Sequence, residues 1–351
     1  MGWLSGLAWC FAGIGGIGVT CGIFLYMFQD RLLYIPQVPV RNPDDNPFGI
    51  RNPLEQGISY EDMYMTTLDG VMIHGWLLKN PDAHKVPTLV FLHGNAGNIG
   101  FRLTNARHMQ LATGCNVLLV DYRGYGKSKG HPTEEGLILD VEASLRALRD
   151  DAKAGVDTNK IVLFGRSLGG AVALGAAERY PDLVRAVMVE NTFLSVSHMV
   201  DVVLPMLSSV KWLVLRLKWN SEERARSLKR PILFISGLRD ELVPPWHMQA
   251  LYNVTPEKSG GGKRLIMVPG GAHNDTWEKG GQDYLRALKS FISEVMAGKM
   301  ITPVAASCPA DGAASASTGG AYAGCGDGLR ENRKRGVSRM ATSINGDGGS
   351  G

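Results

Sequence analysis

Short apolar runs alternate along the middle of the chain with segments whose apolar side chains recur with helical periodicity. Because buried strands read as continuous apolar runs, the runs predict strands and the segments between them predict helices. The predicted strands are Thr88–Leu92, Asn116–Val120, Lys160–Phe164, Val184–Glu190, Pro231–Ser236 and Arg264–Val268. The predicted helices are Arg102–Ala112, Thr133–Asp150, Leu168–Arg179 and Tyr284–Met296. This alternation predicts an α/β fold with a mostly parallel sheet covered on both faces.

Two further strands, Glu61–Thr66 and Val71–Lys79, precede this alternation. They flank Asp69-Gly70, a dipeptide typical of the tight turn of a β-hairpin. We therefore expect antiparallel strands at one edge of the sheet.

The first residues of the chain are uniformly apolar. No charged side chain lies between Met1 and Gln29, and Trp3–Phe28 is long enough to cross a hydrocarbon core of about 30 Å as a helix. We expect a transmembrane anchor over residues 1–29. A cleavable signal peptide is the alternative, and the lack of both a charged start and an A-x-A site disfavours it. The charges after the anchor nearly cancel, so they do not set the orientation of the domain.

The rest of the chain divides by composition. Residues 30–58 are rich in Pro, Asn and Asp and predict a linker, and residues 59–300 predict one α/β domain. Within that domain, residues 192–228 are apolar and aromatic and break the strand–helix rhythm, which predicts a small helical lid. Residues 301–351 are rich in Ala, Gly and Ser and predict a disordered tail. Its basic patch, Arg330–Arg335, favours a solubilising role, with contact to anionic lipid as the alternative.

Composition and charge exclude some classes of function. The chain is 44% hydrophobic and 20% charged with a net charge of +4, and its cations are not concentrated outside the tail. This balance argues against nucleic acid as the main partner. The five cysteines show no metal-ligand spacing, and Cys115 is the one cysteine of the central region. No disulfide can therefore close within that region.

The strongest chemical signal is Gly165-Arg166-Ser167-Leu168-Gly169-Gly170, which follows a predicted strand and precedes a predicted helix. This is the setting of a nucleophile elbow, a tight turn that requires small residues two before and two after the serine. Glycine occupies both places. The pattern predicts Ser167 as a nucleophile near a helix N-terminus that favours developing negative charge.

A serine hydroxyl needs a base within hydrogen-bond reach, and an acid must orient that base. In this fold the partners follow in the order serine, acid, histidine. Asp240 and His273 each follow a predicted strand in that order, so we predict them as acid and base. Glu190 is the alternative acid. The other candidate histidines lie on the edge hairpin, in a polar loop, or on helices or the lid: His74, His108, His131, His198 and His247.

An oxyanion requires two backbone N–H donors. One is expected from Leu168, directly after the nucleophile, and the other from the loop that follows the Thr88–Leu92 strand. That loop reads His93-Gly94-Asn95-Ala96-Gly97-Asn98, and its small residues let the backbone face a substrate. We predict the Asn95 amide as the second donor.

These segments together resemble the α/β-hydrolase superfamily. Within it, they are similar to the group of α/β-hydrolase domain-containing protein 13 and the bud-emergence-type membrane hydrolases. The resemblance covers roughly residues 20–298 and rests on the segments Phe91–Gly100, Val120–Ser128, Phe164–Ala173, Val189–Ser195 and His273–Trp277. It implies an α/β-hydrolase fold, a single-pass N-terminal anchor and a triad of Ser167, Asp240 and His273. The tail departs from the family pattern.

The sequence thus predicts a serine hydrolase that needs no metal or organic cofactor. The apolar lid and the anchor favour a lipid-like ester or thioester as substrate, at an endomembrane or the plasma membrane. A serine peptidase of the prolyl-oligopeptidase type is one alternative. A non-catalytic membrane scaffold on the same fold is another, since fold alone does not guarantee activity.

Overall fold

The computed structural model describes residues 20–151, 153–257 and 260–301. The first 19 residues of the predicted anchor and all but the first residue of the predicted tail lie outside the described residues. The strands are β1 (Glu61–Thr66), β2 (Met72–Leu78), β3 (Thr88–Leu92), β4 (Asn116–Asp121), β5 (Ile161–Arg166), β6 (Ala186–Glu190), β7 (Ile232–Gly237) and β8 (Lys263–Val268). The helices are α1 (20–33), α2 (Leu103–Thr113), α3 (Glu134–Asp150), α4 (Leu168–Arg179), α5 (Val196–Val203), α6 (Lys211–Val214), α7 (Ser221–Ser227), α8 (Trp246–Val254) and α9 (Thr276–Met296).

The strands form one eight-stranded sheet in the order β1-β2-β4-β3-β5-β6-β7-β8. The pairs β1–β2 and β2–β4 are antiparallel, and every later pair is parallel. This confirms the predicted mostly parallel sheet with antiparallel strands at one edge. The carboxyl ends of β3, β5, β6, β7 and β8 therefore point to the same side of the sheet, where functional loops of open α/β sheets converge.

Helices cover both faces of the sheet. On one face α3, α4, α7 and α8 bury side chains such as Val141, Val172 and Leu251 against the sheet. On the other face α2 and α9 bury residues such as Met109 and Phe291. Strands buried on both faces in this way read as continuous apolar runs, which is why the sequence pattern located them.

Helix α9 begins earlier than predicted. It starts at Thr276 instead of Tyr284, and Gly281 interrupts it with a non-helical φ of 47°. Glycine disfavours helix interiors, so the sequence pattern placed the start after Gly280-Gly281. The structure keeps a helical turn before this kink, directly after the loop that carries His273.

Helix α1 packs on its own domain. It contains residues 20–29 of the predicted anchor, and the Gln29 side chain hydrogen bonds to the backbone of Val214, Arg216 and Leu217 in the predicted lid. No helix in the described part of the chain has the length and apolarity needed to cross a membrane.

The segment predicted as a linker lies against the domain. Tyr34 is buried, and Ile35 forms a β-bridge with Ala96. Further along, the Asn46 and Asn98 side-chain amides bond to each other at 2.9 Å. These contacts hold the segment after α1 on the loop that follows β3.

The predicted lid consists of α5, a 3-10 turn at Pro205–Leu207, α6 and α7. Trp219 holds the second half of the lid in place. Its buried indole donates from Nε1 to the Tyr34 hydroxyl at 2.9 Å. The Trp219 backbone N–H bonds to the Glu134 carboxylate at the start of α3. The lid is thus attached both to the main domain and to the chain just after α1.

Candidate active site

Ser167 occupies a sharp turn between β5 and α4. Its φ of 55° and ψ of −121° are unusual for a residue with a side chain and are typical of strained functional positions. A Cβ on Gly165 would lie 2.1 Å from the Gly169 carbonyl oxygen, and a Cβ on Gly169 would lie 2.0 Å from the Leu92 carbonyl oxygen. The turn can therefore close only with glycine at both positions. The Thr192 hydroxyl, which donates to the Ser167 carbonyl at 2.7 Å, braces it further.

Three residues predicted from the sequence lie in one chain of hydrogen bonds. His273 Nε2 is 3.0 Å from Ser167 Oγ, and His273 Nδ1 is 2.7 Å from Asp240 Oδ2. Because a carboxylate only accepts, we assign the proton to Nδ1, which leaves the Nε2 lone pair facing the hydroxyl. The second Asp240 oxygen accepts from the amides of Leu242 and Val243 at 3.0 and 2.8 Å. Both carboxylate oxygens are thus fixed.

The rival acid Glu190 is engaged elsewhere. This buried carboxylate pairs with the Arg166 guanidinium through Oε1 and accepts from the Tyr284 hydroxyl at 2.5 Å through Oε2. Its backbone carbonyl accepts from the Ser167 N–H at 2.9 Å. Glu190 therefore supports the turn and does not bond to His273.

Asn191 holds the loops that carry Asp240 and His273, and no sequence pattern identifies it. Its Oδ1 accepts from the Gly237 N–H at 2.8 Å, at the start of the loop that carries Asp240. Its Nδ2 lies 3.2 Å from the carbonyls of Ala272 and His273 and 2.9 Å from the Thr276 hydroxyl. An asparagine after a strand is an ordinary pattern; its φ of 48° is visible only in the structure.

Asn95 and Leu168, the predicted oxyanion donors, line the same cavity as Ser167. Leu168 is the first residue of α4, and the first N–H groups of a helix have no intrahelical partner. The Asn95 backbone is fixed through its carbonyl, which accepts from the Tyr125 hydroxyl at 2.8 Å and the Ile35 N–H at 2.9 Å. Both residues thus lie at the cavity that Ser167 also lines.

A buried histidine supports the loop of Asn95. His93 Nδ1 bonds to the Gly94 carbonyl at 2.7 Å, and the His93 carbonyl accepts from the Tyr122 hydroxyl at 3.0 Å. Burial lowers the pKa of His93 to about 3, so the ring is neutral at physiological pH. Nearby, Asp121 accepts from the Ile99 N–H at 3.0 Å, and burial raises its pKa.

Four of the remaining candidate histidines bond to other partners. His74 bonds to Asp62 at 2.8 Å, His108 to the Thr104 carbonyl at 2.8 Å, and His198 to the Ser195 hydroxyl at 2.8 Å. His247 is fully buried and accepts from the Leu194 N–H at 3.3 Å, and burial lowers its pKa to about 4. In residues 20–151, 153–257 and 260–301, His273 is the histidine that bonds to Ser167.

A largely apolar cavity of about 280 Å³ opens beside Ser167. Its polar lining is limited to Gln29, Asn95, Ser167 and Lys211. Its apolar walls come from α1, the start of α4, the lid and the loop after Asp240. They comprise Leu25, Leu32, Leu33, Leu168, Phe193, Val196, Met199, Val200, Val203, Leu204, Leu207, Val214, Leu215, Leu217, Leu242 and Val243. Such a lining suits an aliphatic chain with one polar group near the serine.

The contribution of α1 to this cavity was not predicted from the sequence. Gln29 is its central contact: Nε2 donates to the Val214 carbonyl at 2.6 Å, and Oε1 accepts from the Arg216 and Leu217 amides at 2.7 and 2.9 Å. The signal in the sequence is a single glutamine at the end of an apolar run, and the structure buries its side chain. A buried amide of this kind requires partners, which the lid backbone supplies.

The fold is that of an α/β hydrolase, and a family model with the description alpha/beta hydrolase fold matches residues 87–216. The α/β-hydrolase domain-containing protein WAV2 of Arabidopsis thaliana is 38% identical over 81% of this chain and 94% of its own length. Protein bem46 of Schizosaccharomyces pombe is 34% identical over 81% of this chain and 93% of its own. The chain therefore belongs to the α/β-hydrolase family, in the group that contains these bud-emergence-type proteins.

The chain is also similar to a yeast protein and to a solved esterase structure. The membrane protein YNL320W of Saccharomyces cerevisiae is 37% identical over 77% of this chain and 90% of its own. The esterase Pf2001 of Pyrococcus furiosus superposes with a TM-score of 0.60 at 22% identity, covering 75% of this chain and 98% of the esterase. At that identity the likeness to the esterase shows the fold alone.

Proposed function

We propose that this protein is a membrane-anchored serine hydrolase that cleaves lipid-like carboxylic esters or thioesters through an acyl-enzyme. The observation that carries the proposal is the hydrogen-bonded chain from Ser167 through His273 to Asp240 at the wall of an apolar cavity. A hydroxyl, a base and an acid in this order are the parts that acyl transfer requires.

In the first half-reaction, Ser167 Oγ attacks the carbonyl carbon while His273 Nε2 takes the hydroxyl proton. Asp240 keeps the imidazole in the required tautomer and stabilises the imidazolium. The carbonyl electron pair moves onto oxygen, where the Asn95 and Leu168 amides stabilise the charge. The tetrahedral intermediate collapses, the C–O or C–S bond breaks, and the leaving alcohol or thiol takes the proton from His273.

In the second half-reaction, water attacks the Ser167 ester and gives a proton to His273 Nε2. The resulting tetrahedral intermediate expels Ser167 Oγ, which regains that proton, and the carboxylic acid leaves. A donor to the oxyanion is worth about 10²–10³ in rate. The fixed backbones of Asn95 and Leu168 support their assignment to that task.

The apolar cavity supports an aliphatic acyl group as the substrate class. Its walls from α1 and the lid are almost entirely aliphatic, and its few polar groups include the serine. The uncharged sequence of residues 1–29 supports attachment to a membrane, as does the likeness to a protein named as a membrane protein. Both features suit a substrate that resides in lipid.

Replacing Ser167 tests the function. We expect the full-length protein to react with a fluorophosphonate probe and to hydrolyse medium-chain acyl esters faster than peptide amides, because the cavity suits acyl chains. Ser167→Ala removes the attacking oxygen and should abolish both probe labelling and turnover. Ser195→Ala, which removes a lid hydroxyl bonded to His198, is the matched serine control and should keep labelling and turnover.

Two outcomes would contradict the proposal. Labelling of Ser167→Ala at the wild-type level would place the nucleophile elsewhere. Turnover of amides in preference to esters would assign the protein to the peptidases instead.

A further inference from the structure

The rim of the cavity carries an unusual set of exposed apolar side chains. On the lid, Met206, Trp212 and Leu213 are 82, 77 and 60% exposed. On α1, Met27 is 64% exposed and Phe24 lies open beside it. These five side chains are called the rim here, and none of them lines the cavity.

Helix α1 is apolar on both of its faces. Leu25 and Leu33 line the cavity on one face, while Ile23, Phe24 and Met27 are exposed on the other. The outer face of a surface helix in a water-soluble domain is ordinarily polar. An apolar outer face next to a substrate cavity marks a surface that another apolar body covers.

Three observations favour a lipid bilayer as that body. The sequence that leads into α1 has no charged side chain from Met1 onward, so apolar chain continues directly into the rim. The first charges, Asp30 and Arg31, stand at the end of α1, away from that run. Tyr26 on α1 and Trp212 on α6 are exposed, and these two residue types favour the boundary between lipid and water.

The rim holds together as one surface. The Gln29 side chain joins α1 to the backbone of Val214, the last residue of α6, and of Arg216 and Leu217 just after it. The Arg216 guanidinium pairs with Asp30 at 2.5 Å and adds a second link. The outer faces of α1 and α6 are therefore held in a fixed relation beside the mouth of the cavity.

We propose that the rim docks on the surface of a lipid bilayer, so that an acyl chain passes from the bilayer directly into the cavity. The proposal rests on the proposed ester hydrolysis for the fate of the acyl chain, whereas the docking itself does not depend on chemistry at Ser167. An acyl chain that enters this way keeps its methylene groups out of water along its whole path, which favours long-chain substrates.

Docking is tested by quenching of tryptophan fluorescence. Full-length wild type and Trp212→Phe are reconstituted in phosphatidylcholine vesicles with or without bromine on the acyl chains. We expect brominated lipid to quench the wild type more than Trp212→Phe, because bromine quenches at short range and Trp212 lies at the bilayer surface. Trp277→Phe is the matched control, since Trp277 lies beside His108 where α9 meets α2, and it should leave quenching unchanged.

Equal quenching of the wild type and Trp212→Phe would overturn the docking. If sedimentation in detergent then shows a dimer that Leu213→Ser converts to a monomer, the rim belongs to a second copy of this chain. If the wild type instead carries a bound protein that Leu213→Ser releases, the rim belongs to a protein partner.

Entry of substrate is tested with a triple variant, Met206→Ser/Trp212→Ser/Leu213→Ser. We expect turnover of a water-soluble short-chain ester to stay unchanged, because none of these residues lines the cavity. Turnover of a long-chain ester held in phosphatidylcholine vesicles should fall by about tenfold or more, since the variant loses apolar contact with lipid. Leu68→Ser/Leu111→Ser, whose side chains are each 69% exposed elsewhere on the domain, should keep both activities.

The two proposals fail in different ways. If the wild type hydrolyses no ester of either kind while Trp212 is quenched, the proposed function fails and the docking stands. If the triple variant keeps vesicle turnover at the wild-type level, the entry route is overturned while the hydrolase activity remains.

Discussion

Asp240 is bonded through both of its carboxylate oxygens. One oxygen accepts from His273 Nδ1, and the other accepts from the backbone of Leu242 and Val243. The Leu242 and Val243 amides need only a hydrogen-bond acceptor of the same shape at this position. The contact with His273 requires an acceptor as well, because that contact decides which ring nitrogen carries the proton.

Asp240→Asn should separate these two roles. The amide oxygen can keep the bonds to Leu242 and Val243, which leaves the NH₂ group facing His273 Nδ1 and forces the proton onto Nε2. That nitrogen can then no longer accept from Ser167, and we expect kcat to fall by about 10⁴-fold with little loss of stability. Steady-state kinetics with a soluble ester measure this.

The adjacent Glu241→Gln provides the control, because this exposed carboxylate is next in sequence to the acid. It should keep wild-type turnover. If Asp240→Asn were as active as Glu241→Gln, Asp240 would have no part in orienting the base.

The three side chains could be found from the sequence because each follows a strand in a fixed order. Ser167 has the additional signal of the glycines that its turn requires. Asn191 could not be found, because its role depends on the convergence of two loops that are remote in sequence. Its amide bonds to residues 46 and 85 positions away, and no local pattern records such contacts.

At the scale of elements, the buried side-chain amide of Gln29 connects α1 to the lid. Gln29 is nearly inaccessible to solvent and satisfies three backbone groups of the lid at once. Backbone groups that lose such a partner either stay unsatisfied or open to water. The position of the lid after α6 therefore depends on the side chain of one residue of α1.

Gln29→Ala should loosen this part of the lid. The Arg216 and Leu217 amides lose their acceptor, and we expect their hydrogen exchange to accelerate by about 10- to 100-fold, while β5 stays protected. Hydrogen exchange with mass spectrometry resolves the peptide over residues 211–217. Gln249→Ala, which removes a bond within α8 only, should not change that peptide.

Acceleration in β5 as well would indicate general destabilisation. Unchanged exchange over residues 211–217 would show that Gln29 does not hold the lid.

The sequence predicted most elements within a few residues but not the placement of α1. An apolar helix that packs on its own domain and one that enters a bilayer have the same composition, so periodicity does not distinguish them. The sequence pattern also gives no bounds for helix α8, because this helix is short and follows two prolines. Pro245 serves as its N-cap, whereas in the sequence the prolines read as a break.

For the whole molecule, buried neutral histidines make stability depend on pH. Burial lowers the pKa of His247 from its ordinary value of 6.5 to about 4. Below about pH 6.5 the unfolded chain therefore binds a proton that the folded chain does not. The stability that neutral His247 contributes is fully present above about pH 6.5 and is lost as the pH falls towards about 4. His93, with its pKa lowered to about 3, acts in the same direction.

His247→Asn should reduce this dependence. The asparagine oxygen can accept from the Leu194 N–H in place of Nδ1 but does not titrate. Between about pH 7.5 and about pH 5, we expect the wild type to lose about 2 kcal/mol more unfolding free energy than the variant. Urea unfolding at both pH values measures the difference, in which other titrating groups cancel. An identical loss in both proteins would show that His247 does not titrate on unfolding.

The bonds of Asn95 join the end of α1 and the residues just after it to the loop that holds an expected oxyanion donor. Its Nδ2 donates to the Leu33 carbonyl at 3.1 Å, and its own carbonyl accepts from Ile35. A tilt of the helix axis would therefore move the backbone beside the nucleophile. Residues 20–35 therefore help to set the geometry of the site. An attachment of this helix to a membrane would act on the expected oxyanion donor through one asparagine, Asn95.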